Sequence, residues 1–155
     1  DKTKKKIMLN FKFNAWSKYK DYRKDNNINN KLSKLIKIKK INPLVKINKK
    51  HKQLVLEGGA IDVNGKGSIL LTKECLLSKV QERNPGITKS ILEKTLMKYL
   101  NVKNFVWLNK GIKGDDTHGH IDDIARFVSP NTIMAATEKN KKDRNFKNLK
   151  ENLKI

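Results

Sequence analysis

LVLEGGAIDVNGKGSILLT, residues Leu54 to Thr72, decides the fold of this chain. Its apolar pieces at Leu54 to Leu56 and Ala60 to Val63 read as two short strands. Asn64-Gly65, followed by Lys66-Gly67, is hairpin chemistry and leads into a third strand at Ser68 to Thr72. The pair Gly58-Gly59 lets the backbone turn tightly, which leaves the Glu57 carboxylate at a strand end, within reach of a central cleft.

Working outward, Thr88 to Asn101 (TKSILEKTLMKYLN) is the strongest helix, with Ile91, Leu92, Leu96, Tyr99 and Leu100 on one face. Thr88 or Ser90 can cap it, and Ser90 with Glu93 fits a capping box. Asn104 to Leu108 (NFVWL) reads as a buried strand, and the loop NKGIKGDDTHG follows it. Ile124 to Val128 and Thr132 to Ala136 flank a Ser129-Pro130-Asn131 turn, and a last helix begins at Asn145. On the other side, Ile7 to Trp16 alternates like a half-buried strand. Lys31 to Lys40 places Leu32, Leu35, Ile36 and Lys39 at helical spacing, Pro43 ends that helix, and Leu44 to Ile47 is a further short strand. Asn48 to Lys52 is a polar, basic connection. The fold class is α/β, and a repeating β-β-α-β unit fits this order although no repeat shows in the residues themselves.

A chain of 155 residues buries one ordinary core. It starts at Asp1 and ends in the helix-forming run KNLKENLKI, so residues 1–155 are expected to be one contiguous part of a larger domain. The start DKTKKK is unlike a signal peptide, and no apolar run is long enough to span a membrane. A soluble, cytoplasmic protein with no membrane partner is the expectation. The formal charge of +21 invites a nucleic-acid partner, but only four of the 36 basic residues are Arg (Arg23, Arg83, Arg126, Arg144). A Lys, Asn and Ile excess is what an AT-rich coding bias produces. The single cysteine, Cys75, excludes an internal disulfide and sits among leucines in LLTKECLLSK, where a small buried filler is expected rather than a reactive thiolate.

Function is concentrated in DDTHGHIDDIAR, Asp115 to Arg126. Read as His118-x-His120-x-Asp122 it is a metal clamp, similar to the His-x-His-x-Asp-His clamp of metallo-β-lactamase-fold hydrolases. That pattern needs another histidine where Asp123 stands, and the remaining one, His51, precedes the cluster. Read as Gly-His120-x-Asp122 it is half of a guanidine-hydrolysing site. Such chemistry needs carboxylates to hold a planar cation, a thiolate to attack its central carbon and a histidine to move protons. Two residues apart on an extended segment, His120 and Asp122 point to one face, and Glu57 is placed to support the imidazole.

Several elements, in order, resemble the agmatine deiminases and the related bacterial-type peptidylarginine deiminases. They are FNAW (Phe13 to Trp16) with Lys18 and Tyr19, LEGGAIDVNGKG (Leu56 to Gly67), ECLL (Glu74 to Leu77), RNP (Arg83 to Pro85), VWL (Val106 to Leu108), GDDT-x-GHIDDIARFV (Gly114 to Val128) and ENL (Glu151 to Leu153). The resemblance implies part of a pentein-type α/β propeller, five ββαβ units around a polar funnel. It implies His120 as general acid/base, Asp122 as guanidinium anchor and Glu57 as a further catalytic carboxylate. Asp115 and Asp116 would lie near the funnel mouth, gating it or holding the substrate's amine end. No metal or other cofactor is implied. The substrate would be agmatine, converted to N-carbamoylputrescine and ammonia on a route to putrescine through a covalent thiouronium intermediate. A homo-oligomer is admissible for the full-length enzyme.

The chain also departs from the family pattern. The Gly-rich segment with the nucleophilic cysteine and the Arg-Asp-x-Gly-Pro segment with another guanidinium-binding aspartate are absent from these residues. Cys75 matches the structural ECLL position, and Ser17 alone replaces the Gly-Gly that usually follows FNAW. By itself the chain is therefore expected to be inactive. A non-catalytic remnant, a lysine-rich nucleic-acid binder and a peptidylarginine deiminase are the alternatives.

Overall fold

The computed structural model describes residues 6–155; most of the basic start DKTKKK lies outside the described residues. A three-stranded sheet at the centre follows from the Leu54 to Thr72 segment. Strands β5 (Asp62–Val63) and β6 (Ser68–Thr72) pair antiparallel, and β7 (Asn104–Leu108) joins β6 in parallel, with Ser68 opposite Asn104 and Thr72 opposite Leu108. The crossover between β6 and β7 carries α3 (Lys73–Leu77) and α4 (Lys89–Leu100). Together these form one ββαβ unit. Before it come β1 (Ile7–Leu9), α1 (Arg23–Asn26), α2 (Ile28–Leu35) and β2 (Lys39–Ile41), with β1 and β2 paired in parallel. A hairpin of β3 (Leu44–Ile47) and β4 (Lys50–Gln53) follows. After the unit come a second hairpin, β8 (Ala125–Ser129) with β9 (Thr132–Ala135), and α5 (Phe146–Asn152).

The run Ile69-Leu70-Leu71 on β6 is fully buried on both sides, which is why it reads as continuous rather than alternating. Ile69 and Leu71 face a cluster with Leu54, Leu56, Cys75, Leu92, Leu96 and Trp107, while Leu70 faces Leu108, Ile121, Ile124 and Leu149. The hairpin signal holds in detail: Asn64 Oδ1 accepts from the Lys66 and Ser68 amides at 2.8 and 2.9 Å, and Gly65 and Gly67 take φ of 69° and 97°. No described helix is long and apolar enough to cross a membrane.

Several expectations shift. The strand expected over Ile7 to Trp16 is laddered only over Ile7–Leu9, with an isolated bridge at Lys12, and Ala15, Trp16 and Ser17 adopt φ of 49°, 57° and 56° and curl into a left-handed turn. Asn14 fastens that turn, accepting from the Ser17 amide at 3.1 Å and donating to its hydroxyl at 2.9 Å. The helix expected over Lys31 to Lys40 lies at Ile28–Leu35, and Lys39 belongs to β2. A Schellman closure stops it, with Lys37 at φ 51° and amides of Ile38 and Lys37 donating to Ser33 and Lys34 carbonyls at 3.0 and 3.3 Å. Leu54 to Leu56 is extended but is not part of a ladder: it bridges to Lys12, and Asn84 satisfies both polar groups of Val55 at 2.9 and 2.8 Å. Gly58 to Ala60 forms a 3₁₀ turn, which leaves only Asp62–Val63 as strand. Finally, Thr88 alone caps α4, accepting from the Ile91 amide, while Glu93 accepts from Trp107 Nε1 at 2.8 Å instead of closing a capping box.

Candidate active site

β6 and β7 run parallel, so Thr72 and Leu108 end at one edge of the sheet, the usual place for a binding crevice in an α/β fold. The chain leaving β7 folds back across that edge. Buried Thr72 caps α3 by accepting from the Cys75 amide at 3.1 Å and donates its hydroxyl to the Gly119 carbonyl at 2.5 Å. Glu74 accepts from the Gly111 amide at 2.8 Å, and its own amide donates to the Asn109 carbonyl at 3.1 Å. Gly111 lies so close to Gly119 that a Cβ on it would stand 2.6 Å from the Gly119 Cα. Asp115 completes the loop by accepting from Thr117 N and Oγ1, Gly119 N and His120 N at 2.7, 2.5, 2.6 and 3.2 Å. Burial pushes its carboxyl up, but these donors outweigh it and hold the group below its ordinary value.

His120 emerges from this loop against Glu57, which arrives from the extended segment before the Gly58-Gly59 turn. The two are joined through the backbone, since the amides of Ile121 and Asp122 donate to the Gly59 carbonyl at 3.1 and 3.3 Å. The His120 Nε2 atom lies 3.5 Å from Glu57 Oε2 and Nδ1 lies 3.8 Å from Asp122 Oδ1. Neither contact has the geometry of a hydrogen bond, and the buried Nε2 has no hydrogen-bond partner. Glu57 is buried, whereas the Asp122 side chain is 34% exposed. Thus the structure brings Glu57, His120 and Asp122 together.

Arg83 is the residue that sequence reasoning leaves out. Its side chain is fully buried, and its Nε donates to Glu57 Oε1 and Oε2 at 3.1 and 3.4 Å. Its remaining donors tie Glu57 to the loops around it, through the Gln81 carbonyl at 3.0 Å and the Thr117 carbonyl. Burial would raise the Glu57 carboxyl, yet contact with His120 and the Arg83 charge together hold it below its ordinary value. In the sequence only an arginine among lysines marks this position. Cys75 sits beneath the pair as a buried side chain, and burial pushes its thiol up to about 12.

The other predicted residues lie apart from this centre. Asp116 is exposed and pairs with Lys18 and with the Tyr19 hydroxyl, the latter at 2.7 Å, which latches the loop onto the turn after FNAW. His118 takes φ 65° and its Nε2 lies 3.2 Å from Ser78 Oγ, so the local His118-x-His120-x-Asp122 clamp is not assembled. A cavity of about 440 Å³ opens beside Glu57 and His120, and Phe11, Phe13, Trp16 and Leu56 form its apolar wall. Phe13 and Trp16 meet edge to face with centroids 5.4 Å apart.

A buried carboxylate, an imidazole with one unpartnered nitrogen and an aromatic-walled cavity thus lie together beside the α/β unit, a candidate acid–base site. Comparison with known proteins gives the lineage. The model of the Porphyromonas-type peptidyl-arginine deiminase family matches residues 2–155, and the chain belongs to that family. A Legionella pneumophila (strain Paris) protein, provisionally named an agmatine deiminase, is 39% identical over 143 residues, 92% of this chain and 38% of its own length. A solved C. jejuni agmatine deiminase with substrate bound is 35% identical with a TM-score of 0.81, covering 94% of this chain and 41% of that one. The agmatine deiminase of Enterococcus faecalis is 28% identical with a TM-score of 0.80, covering 94% and 39%. The chain thus spans about two fifths of the length of these relatives.

Proposed function

We propose that the full-length protein is a hydrolase of C–N bonds in linear amidines, converting agmatine and water to N-carbamoylputrescine and ammonia, and that this chain supplies its acid–base half. The observation that supports this most is the His120 imidazole, whose buried Nε2 has no hydrogen-bond partner and faces a carboxylate paired with Arg83. In this reading Asp122 anchors the guanidinium and Glu57 orients and electrostatically supports the ring. A cysteine thiolate from outside this chain attacks the guanidinium carbon, and His120 gives a proton to the departing ammonia. The same imidazole then takes a proton from water as its oxygen attacks the thiouronium carbon, and the C–S bond breaks to return the thiolate. Asp115, with its carboxylate engaged by its own loop, shapes the site, and Asp116 with Lys18 and Tyr19 forms a latch at the mouth.

The same reading makes residues 1–155 one part of a larger five-unit propeller. Its support is the ββαβ unit together with apolar side chains left open on α2 and the β8–β9 hairpin, such as Leu35 at 79% and Met134 at 67% exposure. A cytoplasmic place in putrescine formation goes with it. Agmatine is preferred to peptidylarginine because the substrate-bound neighbour is an agmatine deiminase, although the family model carries the other name. The test is ammonia release by the full-length protein from agmatine and from a peptidylarginine. Turnover of agmatine, lost in His120→Ala, is expected; full activity in Asp122→Asn overturns the assignment. The 155-residue chain alone should release none.

A further inference from the structure

We propose that Glu57, Cys75 and His120 form a binding site for a divalent metal ion, zinc being the best match, in which the ion occupies the His120 nitrogen that faces Glu57. Among the described residues this is the one group of three such donors whose ligand atoms all lie within 4.8 Å of one another, and all three residues are buried. An independent observation points to a ligand there: His120 Nε2 is buried without a hydrogen-bond partner, a rare state for an imidazole nitrogen.

The geometry is close to what zinc needs. Zinc–nitrogen and zinc–oxygen bonds of about 2.0–2.1 Å in a tetrahedron place those two ligands about 3.3–3.4 Å apart. His120 Nε2 and Glu57 Oε2 are 3.5 Å apart already. The Cys75 sulfur lies within 4.8 Å of the other two ligand atoms, and closing by at most on the order of 1 Å brings it to a bond of about 2.3 Å. Arg83 Nε donates to Glu57 Oε1 at 3.1 Å and more weakly to Oε2 at 3.4 Å, so Oε2 keeps a lone pair for the ion. On the far side of the ring, Asp122 Oδ1 lies 3.8 Å from Nδ1, the place of the carboxylate that orients a metal-bound histidine. Thiolate, imidazole and carboxylate together select zinc over magnesium or calcium. The cavity borders two of the three ligands, Glu57 and His120. Binding releases the Cys75 thiol proton to solvent and keeps His120 neutral with its proton on Nδ1. The site differs from the local His118-x-His120-x-Asp122 clamp in its partners, since His118 is turned toward Ser78.

Cobalt(II) titration of the chain tests this without any substrate, so its outcome stands apart from the deiminase reading. Cys75 is the only cysteine, and a thiolate-to-cobalt charge-transfer band therefore reports on it alone. One saturable ion per chain, displaced by zinc, is expected. Zinc affinity should fall by at least roughly 100-fold in Cys75→Ser, Cys75→Ala and His120→Ala, beyond the 10–100-fold cost of losing an outer partner. It should persist in His118→Ala and His51→Ala, with circular dichroism confirming that each variant is folded. The proposal is overturned by a wild-type chain that shows no charge-transfer band at saturating cobalt, by a band that survives His120→Ala, or by binding that disappears with His118.

Discussion

Gly59→Ala in the full-length protein should impair turnover more than stability, because the atoms nearest to the added methyl group belong to the two side chains proposed to act on the substrate. A Cβ at Gly59 stands 2.5 Å from His120 Nδ1 and 2.8 Å from both Asp122 carboxylate oxygens. Ordinary contact begins at 3.4 Å, so the imidazole has to retreat by 0.9 Å. A misplacement of about 1 Å at a reacting group costs about 100-fold in rate, which is about 2.7 kcal/mol of transition-state stabilisation. Gly59 lies outside the left-handed region, so alanine brings no backbone strain. Both contacted groups end in side-chain atoms that can move, so the change in unfolding free energy should stay at the low end of the about 1–3 kcal/mol that overpacking costs. Gly58→Ala is the control: nothing lies within 4 Å of its Cβ, and the variant should be fully active and as stable as wild type or better by about 0.4–1 kcal/mol. The assay is kcat/KM for ammonia release from agmatine, beside urea unfolding of the same variants. Full activity in Gly59→Ala, or a loss of activity matched by an equal loss of stability, would refute the reasoning.

Arg83→Met should cost about 3–5 kcal/mol by leaving Glu57 buried without its cation, and Arg83→Met with Glu57→Leu should recover most of that in chemical denaturation; a single variant within about 1 kcal/mol of wild type speaks against the pair. Glu57 has a folded value below its ordinary 4.5, so its contribution to stability is complete above that value and is lost as pH falls through the lower folded one. Urea midpoints against pH should therefore drop more steeply on the acid side in wild type than in Glu57→Gln, and parallel curves would contradict this. The Cys75 thiol, pushed up to about 12, should resist iodoacetamide in the folded chain at pH 8 and react after urea unfolding; rapid labelling of the native chain would show it to be open. Lys37→Gly should stabilise α2 by up to about 1 kcal/mol, since lysine there holds φ 51° that glycine adopts freely, and a lower melting temperature would be the contrary result.

What could be read in the sequence depended on whether the local residues carried their own reason for the structure. The turn at Asn64 to Gly67 did, because glycine supplies the positive φ and the Asn64 side chain supplies the acceptor. The end of α2 did not: its Schellman closure uses Lys37 where glycine is the usual signal, so the helical spacing of Leu32, Leu35, Ile36 and Lys39 overran it. The FNAW turn concealed itself in the same way, with three positive-φ residues and no glycine. Glu57, His120 and Asp122 were legible because carboxylate and imidazole chemistry restricts residue type and spacing. Arg83 was not, since its role is defined by a partner 26 residues away and only the fold brings them together.

The Arg83–Glu57 pair also argues about purpose. Two charges taken out of water gain back little, and a well-packed apolar pair of similar volume is often as stable or more so. Stability alone therefore gives no reason for an ion pair at this spot. A leucine and a methionine would fill the space but could not place an ionised carboxylate 3.5 Å from an imidazole. The surrounding bonds follow the same logic, since Thr72, Glu74 and Asp115 spend their polar atoms on fixing the His120 loop. Polar groups on the loop and under it are thus spent on holding one ring nitrogen, buried and unpartnered, against one charge. That arrangement costs folding energy and returns it only if something binds at Nε2, whether a reacting proton or a metal ion.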